Sequence, residues 1–128
     1  KKNVIIGFYG NTKDRSAGGA ERWERWRPTL SLFEHDDFLV DRFHLLLNDD
    51  QDPSARRLIK DIRIVSPETE VVEHVLNLRD YWDFEEVYGE LHDFVKQYDW
   101  RTADEDYLFH ITTGSHATQI CTFLLAES

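Results

Sequence analysis

The chain has 128 residues, 41% of them hydrophobic and three of them proline, and a net charge of −10. That length suits one domain with a real core rather than two, and the apolar fraction excludes disorder. No apolar run nears the roughly 20 residues of a membrane span, and Lys1-Lys2-Asn3-Val4 lacks the shape of a signal peptide.

Val4, Ile5, Ile6 and Phe8 predict a first strand, buried on both faces and ending at Gly10. Trp23, Trp26 and Leu30 are spaced to share one helical face, with Pro28 near the start of a second short turn. Phe38 to Leu47 predicts a second strand, and Asn48-Asp49-Asp50-Gln51-Asp52-Pro53 a polar loop. Ala55, Leu58, Ile59 and Ile62 follow the i, i+3, i+4, i+7 template of an amphipathic helix that Ser66-Pro67 stops. Val71, Val72, Val75, Leu76 and Leu78 supply a third strand. Asp83 then caps a helix whose apolar stripe is Phe84, Val87, Tyr88, Leu91, Val95 and Tyr98. Asp104-Glu105-Asp106 reads as a solvated loop before a fourth strand, Tyr107 to Ile111. Ala117 to Ala126 is the last helix. Its apolar face carries Cys121, the one cysteine, which has no internal disulfide partner and points to a reducing, cytoplasmic setting. The alternation of four strands with helices predicts an α/β fold, a Rossmann-like parallel sheet with helices on both faces.

That winding carries a functional expectation. With strands in the order 3-2-1-4 the chain reverses direction between strands 1 and 4, and ligands bind outside the carboxyl ends of the strands at such a point. Two features meet there. Between Lys13 and Arg27 five basic residues face three acidic ones, a local charge of +2 that leaves −12 on the rest of the chain. After strand 4, Thr112-Thr113-Gly114-Ser115-His116 opens a helix, whose unpaired N–H groups and dipole favour an anion. The candidate ligand contacts are therefore Asn11, Thr12, Arg22, Arg25, Thr112, Thr113, Gly114, Ser115 and His116. Thr112, Thr113 and Ser115 also read as helix caps, and Arg22, Arg25 and Arg27 as partners of Glu21 and Glu24. Trp23 and Trp26 suit either base stacking or burial in a core or dimer contact. His110 reads as a hydrogen-bonded core histidine. Neither G-x-G-x-x-G nor a Walker G-x-x-x-x-G-K-[ST] is present, and His110 with His116 makes no zinc site without a cysteine partner. No cofactor is expected.

Gly7-Phe8-Tyr9-Gly10, Arg22-Trp23, Trp26-Arg27-Pro28-Thr29, Val65-Ser66-Pro67-Glu68-Thr69-Glu70-Val71, Trp82-Asp83-Phe84-Glu85-Glu86-Val87-Tyr88 and His110-Ile111-Thr112-Thr113-Gly114 stand in one order along nearly the whole chain. Together they resemble the N-terminal domain of the RtcR family, within the CARF group of CRISPR-associated Rossmann folds. The resemblance implies that residues 1–128 are a non-enzymatic sensor, C-terminally incomplete as a CARF sheet and forming a homodimer. Its implied ligand is an RNA end with a 2′,3′-cyclic phosphate, or a short oligoribonucleotide. Full-length members add an ATP-using module that works with sigma-N RNA polymerase and a domain that binds promoter DNA, and they control RNA-repair genes. The group suggests one other function, cleavage of cyclic oligoadenylate with Thr112, Thr113, Ser115 and His116 stabilising the transition state; a second alternative is a protein-interaction module in which Trp23, Trp26 and Tyr81 make protein contacts. The chain departs from the family pattern at Asn11-Thr12-Lys13-Asp14, and at His116, where many CARF proteins carry lysine.

Overall fold

The computed structural model describes residues 1–10, 14–35, 37–76, 78–80 and 83–110. In chain order the elements are β1 (Lys2–Phe8), a 3-10 turn (Ala20–Trp23), α1 (Pro28–Ser31), β2 (Arg42–Leu47), α2 (Pro53–Val65), β3 (Glu70–Val75), α3 (Phe84–Gln97) and β4 (Glu105–His110). The strands form one sheet in the order β3-β2-β1-β4, and every pairing is parallel. The chain steps outward from β1 to β3, then returns across the sheet to set β4 on the other side of β1. With right-handed crossovers, that reversal sends the connecting helices to opposite faces.

The strand sequences explain the layering. Side chains alternate along β2, so Phe43, Leu45 and Leu47 face one way and meet Leu30, Phe33, Ala55, Leu58, Ile59 and Ile62 from α1, its C-terminal flank and α2. Leu46 faces the other way with Ile6 and Phe8, against Val87 and Leu91 of α3. β1 lies between two strands and under both layers, which is why Val4 to Phe8 are all buried. Each large aliphatic chain removed from water in this way contributes roughly 1.5–3 kcal/mol. Both long helices start on an aspartate: Asp52 accepts from the Ser54 amide, with Pro53 next in line, and Asp83 accepts from the Glu85 and Glu86 amides.

Several boundaries differ from the sequence reading, each for a tertiary reason. β2 starts at Arg42 because Leu39 and Asp41 are tied to Asn3 by hydrogen bonds outside the β1–β2 ladder. β3 ends at Val75; Leu76 and Leu78 reach the core from the connection beyond, with the Leu78 amide donating to the Asn48 side chain. Trp23, Trp26 and Leu30 do not share a helix. A 3-10 turn and a single α turn are separated by a break, so Leu30 is buried while both tryptophans are exposed. On α3, Val87 and Leu91 are buried and Phe94 packs on their cluster, whereas Phe84 and Tyr88 stay exposed. Glu105 is no solvated loop residue: it opens β4, is buried, and pairs with Arg42. The predicted helix from Ala117 to Ala126 lies outside the described residues.

Candidate functional site

β1 and β4 run side by side to one rim, in a register that ends on Gly7 opposite His110. The approach there is close. A Cβ at position 7 would lie 3.0 Å from the His110 Cβ and 3.2 Å from its carbonyl oxygen, tighter than ordinary van der Waals contact, so a side chain there would press β4 outward. Of the predicted contacts at this rim, Asn11, Thr12, Thr112, Thr113, Gly114, Ser115 and His116 lie outside the described residues. The strand ends that lead into both loops are adjacent.

The chain leaving β1 is anchored by a residue that no motif marks. The buried Asp14 carboxylate accepts from the Gly10 amide at 2.8 Å, the Thr29 amide at 2.9 Å and the Thr29 hydroxyl at 2.6 Å. It thus folds the loop back on itself and satisfies an amide in the first turn of α1. The only trace of it in the sequence is a single carboxylate flanked by Lys13 and Arg15, with Thr29 fifteen residues on. A second anchor follows at α2. The Ser16 amide donates to Ser54 Oγ at 2.9 Å, Arg57 donates to the Ser16 carbonyl at 2.6 Å, and Arg15 pairs with Asp52 at 2.8 Å.

The basic segment is less free than its charge implied. Arg22 grips Asp61 with Nε and Nη2 at 2.9 and 3.1 Å, and its Nη1 donates to the carbonyls of Gly18 and Gly19. Arg27, with a fully buried side chain, donates from Nη1 to the same carboxylate at 2.8 Å. Burial pushes the Asp61 carboxyl up, but the hydrogen bonds from Arg22 and Arg27 outweigh it and hold the group below its ordinary value. Both guanidiniums also lie over the Trp23 ring, with Cζ 5.2 and 5.5 Å from its centroid. Among the described residues Arg27 Nε and Nη2 find no hydrogen-bond acceptor, and the indole face is the compensating partner at hand. Arg25, the other predicted arginine contact, is exposed. The buried His110 Nε2 has no hydrogen-bond partner among the described residues. Burial lowers its affinity for a proton, with the Asp14 charge acting weakly the other way.

A second polar cluster, unseen in the sequence, lies on the α3 face and runs from the amino ends of β2 and β4 to the last residues of β3. Arg42 donates to His44 Nε2 at 3.0 Å, to the Tyr98 hydroxyl at 2.8 Å and to Glu105 at 2.7 Å. His44 Nδ1 lies 2.8 Å from His74 Nε2, and the Tyr98 hydroxyl lies 2.8 Å from His44 Nε2. Because Arg42 can only donate, His44 Nε2 accepts and its proton sits on Nδ1, facing His74. Burial, then the neighbouring His74 and Arg42, lower the His44 pKa to about 4. The Arg42 guanidinium and the Tyr107 hydroxyl hold the Glu105 carboxyl down to about 2. This cluster fixes β2, β3, β4 and the end of α3 to one another: Arg42 and Glu105 open their strands, while His44 lies level with Ile6 and His74 level with Phe8, one residue either side of the Gly7–His110 level.

Comparison with known proteins bears on the whole chain. The family described as "RtcR: Regulator of RNA terminal phosphate cyclase" matches residues 1–128. The transcriptional regulatory protein RtcR of Escherichia coli (strain K12) is 48% identical over 128 residues, which cover 100% of this chain and 24% of that protein. The chain therefore spans about a quarter of that relative's length. Among solved structures, Enterococcus italicus Csm6 bound to cyclic hexa-2′-fluoro-hexa-dAMP is similar with a TM-score of 0.69. The likeness covers 98% of this chain and 30% of the other at 13% identity, and is one of fold.

Proposed function

The chain belongs to the RtcR family of regulators of RNA terminal phosphate cyclase, and from that premise we propose that it is the ligand-sensing regulatory domain of a sigma-N-dependent transcriptional activator. The ligand is an RNA end carrying a 2′,3′-cyclic phosphate, or a short oligoribonucleotide. In this reading residues 1–128 form a homodimer in the cytoplasm, and occupancy controls an ATP-using module that acts on sigma-N RNA polymerase at promoter DNA, so that RNA-repair genes are expressed. The sensor itself performs no catalysis.

One observation supports the ligand site above the others: the approach of Gly7 to His110, which brings the exits of β1 and β4 to one rim. Loops that leave neighbouring strands at a reversal of strand order form a crevice suited to a nucleotide. In it, the backbone and hydroxyls of Thr112, Thr113, Gly114 and Ser115 donate to the phosphate. Asn11 and Thr12 bond the ribose, and His116 holds the phosphate or ribose. Arg25 supplies charge from the exposed side. Arg22 acts chiefly through Asp61, since its three nitrogens are already engaged.

Calorimetry with a short RNA ending in a cyclic phosphate, against the same RNA ending in hydroxyls, tests this reading. Preferential binding of the cyclic end, weakened in His116→Ala and in Arg25→Ala, is expected; equal heats for both ends would sink it. The cyclic nucleotide ligand of the Csm6 neighbour favours a second reading, in which the same rim takes cyclic oligoadenylate and cleaves it through the ribose 2′-hydroxyl. Cyclic tetra-adenylate recovered intact after incubation would remove it.

A further inference from the structure

We infer that Trp23 and Trp26 form a stacking platform for unpaired bases of a single-stranded RNA whose end occupies the rim between β1 and β4. The inference rests on the ligand reading above and names the part of the ligand that lies beyond its terminal phosphate.

Trp26 is 65% exposed and Trp23 42% exposed, although their spacing with Leu30 suited a buried helical face. The break between the 3-10 turn and α1 leaves both indoles in water, three residues apart in the chain. Trp23 is already held in place. Arg22 and Arg27 both lie over its ring and both grip Asp61, which braces the indole. A braced ring loses little further freedom when a flat ligand settles on it, which is the condition for useful stacking.

Charge narrows the partner. The segment from Lys13 to Arg27 carries +2 on a chain whose other residues carry −12; with its partners Asp52 and Asp61 counted it is neutral against −10 elsewhere. A polyanion is therefore repelled least here. Position agrees with this. The loop touches the first turn of α2 through Ser16 and Ser54, at the carboxyl rim, and reaches Asp61 two turns further along the helix. At 1.5 Å per residue the platform therefore lies about 10 Å from the rim, a distance that the next nucleotides of a bound strand span. Exposed aromatics beside arginines are the means by which single strands are held with little dependence on sequence, and larger purine faces stack best.

The test uses the full-length protein and three RNAs of five nucleotides, each ending in a 2′,3′-cyclic phosphate: an adenylate, a uridylate, and an adenylate that is abasic at every position except the last. Affinities of wild type, Trp26→Ala and Trp26→Phe are measured, with sedimentation of each variant alongside. Wild type is expected to bind the adenylate most tightly. Trp26→Ala should lose about tenfold on the adenylate, less on the uridylate and almost nothing on the abasic strand, while Trp26→Phe keeps most of the affinity. Equal affinity of wild type and Trp26→Ala for all three RNAs, or an equal loss on all three, overturns the platform and leaves the rim reading standing. A change in self-association with RNA affinity intact assigns the tryptophans to a protein contact and likewise overturns it. No binding of any of the three RNAs overturns both.

Discussion

Two polar clusters hold this sheet from opposite sides, and their chemistry differs. Between α2 and the 3-10 turn, one carboxylate, Asp61, lies under two guanidiniums, groups that keep their charge throughout the physiological range. On the α3 face, Arg42 and Glu105 are joined to two imidazoles and a phenol, and the imidazoles are neutral. The first cluster is a fixed charge that braces the loop running to the candidate platform. The second is a hydrogen-bonded net whose integrity depends on the absence of two protons. The loop that carries the candidate platform is thus held by a contact indifferent to pH, and the acid-sensitive contact lies on the opposite, α3 face of the sheet.

The largest expected effect breaks the first cluster. Asp61→Ala leaves the Arg27 guanidinium buried and charged with no carboxylate beside it. A loss of about 3–5 kcal/mol is expected for such an unpaired buried charge, read from the urea midpoint at constant slope. Arg27→Met, which removes the charge and keeps much of the volume, should cost far less. A loss for Asp61→Ala below about 1 kcal/mol would mean that solvent replaces the carboxylate, and that the brace under Trp23 is loose.

The second cluster is best broken by acid. In the folded chain His44 titrates at about 4, against an ordinary value of 6.5, and burial lowers His74 as well. Below pH 6.5 the unfolded chain takes up protons that the folded chain refuses. Stability is therefore complete at neutral pH and falls as the pH drops toward 4, by on the order of 3 kcal/mol for His44 alone. Glu105, at about 2 when folded against 4.5 ordinarily, adds a further decline between pH 4.5 and 2. Unfolding free energies taken at intervals from pH 8 to 3 should trace this slope, and His44→Gln should flatten its upper part. A wild-type profile flat down to pH 4.5 would contradict the neutral-imidazole net.

What the sequence revealed and what it hid divide along the same line. The strand order, the apolar face of α2 and the Asp83 cap follow from periodicity and from residues close in the chain, so they were legible. The clusters depend on partners brought together by folding. Arg27 meets Asp61 across 34 positions and Arg42 meets Glu105 across 63, and no local pattern announces either. Glu105 looked solvated because Asp104 and Asp106 flank it; only the alternation of β4 turns it inward. Trp23 and Trp26 looked helical because their spacing with Leu30 fits, yet the arginines beside them are pulled to α2 and the helix breaks. At the rim, the reversal of strand order and the Gly7 approach were within reach of sequence reasoning, whereas Asp14 was not, since its three donors come from two separate turns.

The smallest effect sharpens the comparison most, because it separates burial from hydrogen bonding as the reason the imidazoles stay neutral. Tyr98→Phe keeps the ring that stands edge-on to His44, 4.8 Å between centroids, and removes only the hydroxyl shared by Arg42 and His44. His44 Nε2 still accepts from Arg42 and Arg42 still pairs with Glu105, so two hydrogen bonds are lost without stranding either group, and a cost of about 1–2 kcal/mol at pH 7 is expected. Since burial is the leading cause of the lowered His44 value, the variant should lose the same further stability as wild type between pH 6.5 and 4. The two stability curves would then run parallel, offset by the hydroxyl's two hydrogen bonds. Convergence of the curves at low pH would make the Tyr98 hydroxyl, and not the apolar surroundings supplied by Phe94 and the sheet, the group that keeps the proton off His44.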